Sequence, residues 1–193
     1  MHLMENFSLR SGLKIHTPHI SESFYPIVPE KYITIHTEDH PSKQWDHFQT
    51  CIDTLKPFLE KQNISIIEVG YNKTPLNGVT SIKNGAGLNQ TAYVIKNSLL
   101  HMGPEGLFIQ LASYYKKPLV ALFSNTSPTY CRPLWGESPC EILIEAERQG
   151  NKPSYRAEEN PKTLNFIFSE TVASQVLNLL NIPHKLDKYL PLF

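Results

Sequence analysis

The sequence predicts a single α/β domain built on a doubly wound parallel sheet, and three observations lead to that fold class. From Lys31 onward, short β-branched or apolar runs alternate with segments whose apolar residues recur at helical spacing. Strands separated by helices need crossover connections, which produce parallel pairing and cover both faces of the sheet. The run Pro118–Phe123 shows no polar alternation, as expected of a strand that is buried on both faces. The 193 residues suffice for one well-buried core.

The first strand and helix of the domain are the most regular part of the pattern. The strand is Tyr32–His36, and the helix is predicted over Gln44–Gln62 with Ser42 as its N-cap. The apolar residues expected on one face of this helix are Trp45, Phe48, Ile52, Leu55 and Leu59.

The remaining elements continue the alternation. A second strand over Ile64–Gly70 ends in glycine and is followed by a polar loop. The further elements, in chain order, are a strand at 79–85, a helix at 88–98, a strand at 99–103, a helix at 106–115, strands at 118–124 and 141–146, and a closing helix at 169–180.

Both ends of the chain are predicted to lie outside this core. Residues 1–30 carry scattered prolines without a sustained period, so we expect a lead-in or docking segment there and the domain itself over residues 31–193. The apolar tail is expected to cover an exposed side of the domain or a second copy of it, which would form a homodimer. The tail residues concerned are Tyr189, Leu190, Leu192 and Phe193.

Composition excludes several classes of partner. Lysine plus arginine and aspartate plus glutamate both number 18, so no global field draws the chain to nucleic acid or to an anionic membrane. The longest apolar runs fall well short of the roughly 20 residues of a membrane span, and the start lacks the apolar core of a signal peptide. We therefore expect a cytoplasmic protein without a transmembrane segment. Its three cysteines form no CxxC pair, which favours reduced thiols.

Three unusual stretches follow predicted strands, where the ligand crevice of an open parallel sheet lies. After the first strand, His36, Thr37 and Lys43 offer hydrogen-bond donors beside a helix N-terminus, a combination that suits phosphate. The alternative is an ordinary polar turn. The third stretch, Ser124–Thr129, supplies small hydroxyl and amide residues, among them Asn125 and Thr126.

The second stretch is the corner Gly103, Pro104, Glu105 and Gly106. Its two glycines permit close approach of the backbone to a ligand, and the Glu105 carboxylate could accept hydrogen bonds from the hydroxyls of a sugar. In the alternative, Glu105 only complements the dipole of the following helix.

Other chemistries fit the sequence less well. A metal site at His36, His40 and His47 lacks a carboxylate or cysteine at a recognisable ligand spacing, so we predict neither a metal nor another cofactor. Thiol catalysis by Cys131 or Cys140 is similarly disfavoured. The glycine pair of residues 83–90 matches no phosphate-binding loop motif.

The order and spacing of these stretches resemble the C-terminal half of the heptosyltransferase-like glycosyltransferases, glycosyltransferase family 9, over roughly residues 25–180. The matching pieces are Lys43 with Trp45, the corner 103–106, the stretch 111–123 in which Lys117–Pro118 begins the strand, and the turn Asn125–Pro128. The resemblance implies a Rossmann-like half of a GT-B fold that binds a nucleoside-diphosphate sugar as donor substrate. It places Thr37 and Lys43 near the diphosphate and the corner 103–106 under the phosphates and the sugar.

Two departures from the family bear on activity. The histidine that the family carries on the helix after the corner corresponds to Gln110, which can hydrogen-bond but adds no positive charge. The half that binds the acceptor, and that in this family supplies the catalytic base, has no counterpart in residues 1–30. No catalytic residue is therefore assigned, and the chain is expected to act with a separate acceptor-binding subunit or to be inactive alone.

Three hypotheses remain open from the sequence. The first is a donor-binding domain of a glycosyltransferase of surface polysaccharide or lipopolysaccharide assembly. The second is a noncatalytic relative that serves as an interaction or scaffolding module, with an apolar surface near Phe24, Tyr25 and the C-terminal residues 189–193 that another protein covers. The third is an unrelated small Rossmann-like enzyme such as a sugar-nucleotide epimerase, which would need a complete acid–base pair in one cleft.

Overall fold

The domain is built on one parallel sheet of six strands in the order β3-β2-β1-β4-β5-β6. The structure, a computed structural model, describes residues 1–37, 40–71, 76–136 and 140–186. The strands are β1 (Tyr32–His36), β2 (Ser65–Val69), β3 (Thr80–Ser81), β4 (His101–Pro104), β5 (Leu119–Phe123) and β6 (Glu141–Glu145). All five neighbouring pairs are parallel, which confirms the predicted doubly wound α/β fold class.

Helices connect these strands and cover the sheet. They are α1 (Leu3–Ser11), α2 (Phe48–Glu60), α3 (Leu88–Asn97), α4 (Leu107–Tyr114), α5 (Pro128–Cys131) and α6 (Ser169–Leu179). Single 3₁₀ turns occur at Pro41–Lys43 and Thr163–Phe166. None of the described helices is long and apolar enough to cross a bilayer.

Two hydrophobic cores lie on opposite faces of the sheet because neighbouring side chains of a strand point in opposite directions. On one face Ile33 and Ile35 of β1 pack with residues of α2 and α6. On the other, Ile67 and Val69 of β2 pack with residues of α3 and α4. All five residues of β1 and of β5 are buried, so both strands run through the middle of the layered domain.

Helix α2 begins later than the sequence predicts. Ser42 lies in the 3₁₀ turn instead of capping the helix, and its backbone N–H donates to the carbonyl of Ala157 at 3.1 Å. The backbone at Gln44 is extended, so the chain cannot continue into α2, which starts at Phe48 with His47 as N-cap. Four residues of the predicted apolar face, Phe48, Ile52, Leu55 and Leu59, are buried on α2, whereas Trp45 is buried but precedes the helix.

Residues 1–30, called the N-terminal arm below, contain a helix that the sequence did not predict. Helix α1 buries none of its side chains, so it lacks the apolar periodicity by which a packed helix is recognised. Its cap is local, because His2 and Glu5 form a capping box at its start. Further along, the arm packs on α3: Ser23 N–H donates to the carbonyl of Asn89 at 3.1 Å.

The expected covering tail, from Tyr189 to Phe193, lies outside the described residues. Of the apolar arm residues named with it, Phe24 is exposed and contacts the Tyr93 ring edge-on, with ring centroids 5.4 Å apart. Tyr25 packs against the core between the sheet, α3 and α4.

Candidate functional site

The order of the strands places a crevice between β1 and β4. Connections leave β1 toward β2 on one side, whereas β4 to β6 extend the sheet on the other. At such a switch point, the loops after the carboxyl ends of the two central strands separate and leave room for a ligand. Thr37 follows β1, Glu105 follows β4, and Ser124 follows β5 at this edge.

Three predicted site residues meet there and are called the polar corner: Lys43, Glu105 and Thr126. The Lys43 ammonium lies 2.8 Å from Oε2 of Glu105, and the Thr126 hydroxyl donates to the same oxygen at 3.1 Å. Their side chains come from three different loops, and those of Lys43 and Glu105 are 21% and 15% exposed. The corner thus presents a cation, an acceptor and a hydroxyl within reach of one ligand.

Arg148 holds the loop that carries Thr126. Its guanidinium donates to the carbonyls of Ser124, at 2.6 Å, and of Thr126, at 2.8 Å, and pairs with Glu145 at 2.7 Å. Sequence reasoning missed this residue because it lies in a polar connector with no motif. An arginine three positions after a strand that ends at the crevice edge is the signal that could have identified it.

Asn125 and Gln110 have structural partners. The Asn125 side-chain amide donates to the backbone carbonyl of Arg156 at 2.9 Å, and the backbone carbonyl of Asn125 accepts from the Tyr155 N–H at 2.8 Å. Gln110 accepts from the Leu134 N–H at 3.3 Å. Asn125 therefore fixes the loop after β5, whereas Gln110 fixes the segment after α5 and lines a cavity beside the corner.

His36 does not face the crevice in this structure. Its ring is fully buried, and Nδ1 lies 2.9 Å from Nε2 of His101, whose Nδ1 lies 2.8 Å from the Thr34 hydroxyl. Burial lowers the pKa of His36 to about 3, and the same effect lowers the pKa of His101 well below its usual range. Both rings are accordingly neutral near pH 7 and act as buried hydrogen-bonding groups.

Gly103 lies within β4 and makes room for that histidine ring. A Cβ at this position would come within 2.3 Å of ring atoms of His36 and 2.8 Å from its carbonyl oxygen. Packing between β1 and β4 therefore requires this glycine. Pro104 ends the same strand, and Gly106 is the N-cap residue of α4 with an extended backbone.

Thr37 is tied to a buried ion pair that sequence reasoning missed. Its hydroxyl donates to Oε1 of Glu68 at 3.1 Å, and Lys83 contacts the same oxygen at 2.7 Å. The side chains of Glu68 and Lys83 are 1% and 6% exposed. An acid in the middle of the apolar strand β2 was the available signal, because a buried carboxylate needs a cation and hydrogen bonds.

The histidines weighed as metal ligands are engaged separately. His40 Nδ1 lies 2.9 Å from the Ser42 hydroxyl, and His47 Nε2 lies 3.1 Å from the carbonyl of Asn165. Among the residues that the structure describes, no three histidine, cysteine or acidic residues are grouped to hold a metal ion.

The cysteines lie outside the polar contacts of the corner. Cys51 and Cys131 are buried and Cys140 is exposed. Burial, reinforced by the nearby Glu105 carboxylate, raises the pKa of Cys131, so the thiol form is favoured there.

A cavity of about 690 Å³ opens beside the polar corner. It is lined by Glu105, Gly106 and Gln110 at the polar corner, by residues of α3 and α4, and by residues of the N-terminal arm. The arm is held there by His2, whose Nε2 lies 2.8 Å from the carbonyl of Arg132. The corner and the cavity together make this edge of the sheet the candidate binding region of the domain.

No protein-family model and no curated protein matches this chain. Solved structures do share its fold. The ADP-heptose LPS heptosyltransferase II of E. coli is 18% identical, with a TM-score of 0.59, and the alignment covers 79% of this chain and 47% of that one. A family 9 glycosyltransferase from Veillonella parvula is 13% identical, with a TM-score of 0.60 and coverages of 92% and 50%.

A third structure of the same kind is TibC, an iron-containing dodecameric glycosyltransferase from enterotoxigenic E. coli. It is 12% identical to this chain, with a TM-score of 0.60 and coverages of 82% and 47%. At these identities the likeness concerns the fold alone. The chain spans about half the length of each of these three proteins.

Proposed function

We propose that this chain is a donor-binding half domain that takes a nucleoside-diphosphate sugar, as part of a heptosyltransferase-like glycosyltransferase of surface polysaccharide or lipopolysaccharide assembly. The observation that carries the proposal is the polar corner, where Lys43, Glu105 and Thr126 converge at the switch point of a parallel sheet. Ligands of open α/β sheets bind at this place in the fold.

The comparisons support the proposal at the level of the fold. The neighbours above are glycosyltransferases, and a further structure of TibC holds ADP-D-β-D-heptose, with a TM-score of 0.61 and 11% identity. Because this chain spans about half of such proteins, acceptor binding and sugar transfer are assigned to a separate acceptor-binding subunit or a second copy of the chain. These partners, and a cytoplasmic location, are part of the proposal.

The corner offers each portion of the donor a suitable group. The ammonium of Lys43 has three hydrogen-bond donors, so it can contact a phosphate while one of them remains on Glu105. Gly106 has no side chain to cap α4, which leaves the first amides of that helix available to an anion. The carboxylate of Glu105 can accept from sugar hydroxyls. Such donors would also stabilise the leaving diphosphate during transfer.

A thermal-shift screen tests the proposal directly. The purified chain is heated with ADP, UDP, GDP and CMP and with their common sugar conjugates. A ligand at about one hundred times its Kd stabilises the folded state by about 2.7 kcal/mol, which raises Tm by roughly 5–10 °C in a chain of this size. A flat response across the whole panel would refute donor binding.

Two variants locate the site. Lys43→Ala should abolish the shift, whereas Lys56→Ala should preserve it, because Lys56 is exposed on α2 and pairs only at 3.8 Å with Glu60. Glu105→Gln should strengthen binding of the free diphosphate by removing a nearby negative charge. Equal effects of the two lysine variants would place the anion elsewhere on the molecule.

The noncatalytic interaction module is the second candidate, and the charge balance of the corner favours it. Glu105 neutralises Lys43, and Gln110 adds no cation to the site. The arm exposes apolar side chains, with Phe24 and Val28 70% and 99% exposed. This function predicts no nucleotide response together with a partner protein whose binding Phe24→Ser weakens, which a pull-down with purified partner would measure.

A further inference from the structure

The cavity beside the polar corner is open to solvent, and most of its wall is formed by apolar side chains. Leu3, Met4 and Ile20 of the N-terminal arm face Leu88 of α3 and Leu111 of α4 across it. Its volume of about 690 Å³ lies within the range of roughly 300–1,000 Å³ typical of small-molecule sites. A cavity of this size and lining has room for a flexible apolar ligand.

The charges around the cavity restrict which ligand can enter. Among the described residues that line it there is no lysine and no arginine, and the one carboxylate, Glu105, lies at its edge. Of the described lining residues, only His2 and His19 can become cations, and the His2 ring already contacts the carbonyl of Arg132. A phosphate or carboxylate placed inside would therefore lose its hydration without gaining a permanent cation, which is unfavourable. The cavity therefore suits a neutral apolar group, and any hydroxyl of that ligand would find acceptors at Glu105 and Gln110.

The arm also exposes several large apolar side chains. Leu3 and Met4 line the cavity and are 44% and 39% exposed. Phe7, Leu9 and Leu13 continue this exposed apolar surface along the arm. A hydrocarbon chain that moves between a lipid phase and the cavity would therefore stay in contact with apolar side chains.

We propose that this cavity binds the hydrocarbon chain of a neutral lipid, with the lipid's hydroxyl end at the edge formed by Glu105 and Gln110. The ligand lies between α3, α4 and the N-terminal arm, beside the polar corner. The site adjoins the proposed donor site and shares Glu105 with it, but binding of the hydrocarbon chain requires neither a nucleotide nor Lys43.

A chain-length series of primary alcohols tests the proposal. Octan-1-ol, decan-1-ol and dodecan-1-ol are titrated into the full chain while the fluorescence of Trp135, which lines the cavity, is recorded. Affinity should rise about fourfold per methylene, or about fifteenfold from one alcohol to the next, as hydrophobic transfer requires. The signal should vanish in Trp135→Phe, because Trp45 is buried in the core between the sheet, α2 and α6. Affinity that does not depend on chain length would overturn the proposal.

A pair of matched variants tests whether the alcohol binds in this cavity. Leu88→Arg puts a cation at the cavity wall and should weaken dodecan-1-ol at least tenfold. Leu99→Arg makes the same change at a leucine of similar exposure, 40% against 43%, at the opposite end of β4, and should leave the affinity unchanged. Equal affinities in both variants would overturn the proposal.

The same variants separate this proposal from the donor function. Nucleotide binding that survives Leu88→Arg while alcohol binding is lost supports two separate sites. If the wild-type chain binds none of the alcohols and Leu88→Arg loses nucleotide binding, the cavity is the site of the nucleobase. That result would overturn the lipid proposal.

Discussion

Lowering the pH from about 7.5 to about 5 should destabilise the domain by about 2 kcal/mol through His36 alone. Burial lowers the pKa of this residue from 6.5 to about 3, so the folded state stays neutral where the unfolded chain takes up a proton. The unfolded state then binds more protons, and stability falls as the pH drops through the window from about 6.5 to about 3.

The magnitude follows from the two pKa values. At pH 5 the pH lies about 1.5 units below the pKa of 6.5 of an unfolded histidine. The protonated form of that histidine therefore outnumbers the neutral form about thirtyfold. At 1.36 kcal/mol per unit, this amounts to about 2 kcal/mol. His101 shifts in the same direction and adds to the loss.

Urea unfolding at the two pH values measures the effect. In His36→Asn the loss of stability between them should shrink by about 2 kcal/mol relative to the wild type. His16→Asn, at an exposed histidine of the arm, is the control and should keep the full loss. A His36→Asn variant with wild-type pH dependence would refute the account. So would an NMR titration in which the His36 ring of the folded wild type is protonated near pH 6.

Two further changes test the packing described above, both by urea unfolding. Gly103→Ala should destabilise by about 1–3 kcal/mol because its methyl meets a histidine ring, whereas Gly87→Ala, with only ordinary contacts, should change stability little; similar values for the two would refute the packing argument. Lys83→Met should cost about 3–5 kcal/mol by leaving Glu68 charged and buried, whereas Lys56→Met should cost less than about 1 kcal/mol at its exposed pair. A Lys83→Met variant as stable as the wild type would show that the pair is not needed.

The fold could be predicted because its apolar pattern is strong where strands are central. Strands β1 and β5 are buried along their whole length, and their β-branched and apolar residues identify them almost to the residue. At the sheet edge the pattern weakens: β3 is only Thr80–Ser81, and both residues are exposed. The helix of the arm was missed because none of its residues is buried, so nothing selects an apolar period there.

The place of the candidate site in the fold could be predicted from the sequence, whereas its contacts could be predicted only in part. Since parallel strands end at one edge, the sequence predicts Lys43, Glu105 and Thr126 near each other, and both Lys43 and Thr126 contact Glu105. The inward direction of His36 was not predictable. Both faces of β1 are buried, so sequence alternation could not distinguish a histidine that faces the ligand from one that packs against a neighbouring strand. That distinction depends on His101, which lies 65 residues away.

The pairing of β1 with β4 also has a consequence for the folding mechanism. This pair joins two halves of the sheet, β1 to β3 and β4 to β6, and the strands within each half are close together in the sequence. By contrast, Thr34 and His101, which are in register across the pair, are 67 residues apart. Closing this loop costs about 0.6 kcal/mol more than the pairing of Tyr32 with Ser65 within one half, and we expect the junction to form after the folding transition state. Substitutions at the junction should therefore accelerate unfolding and leave the refolding rate nearly unchanged.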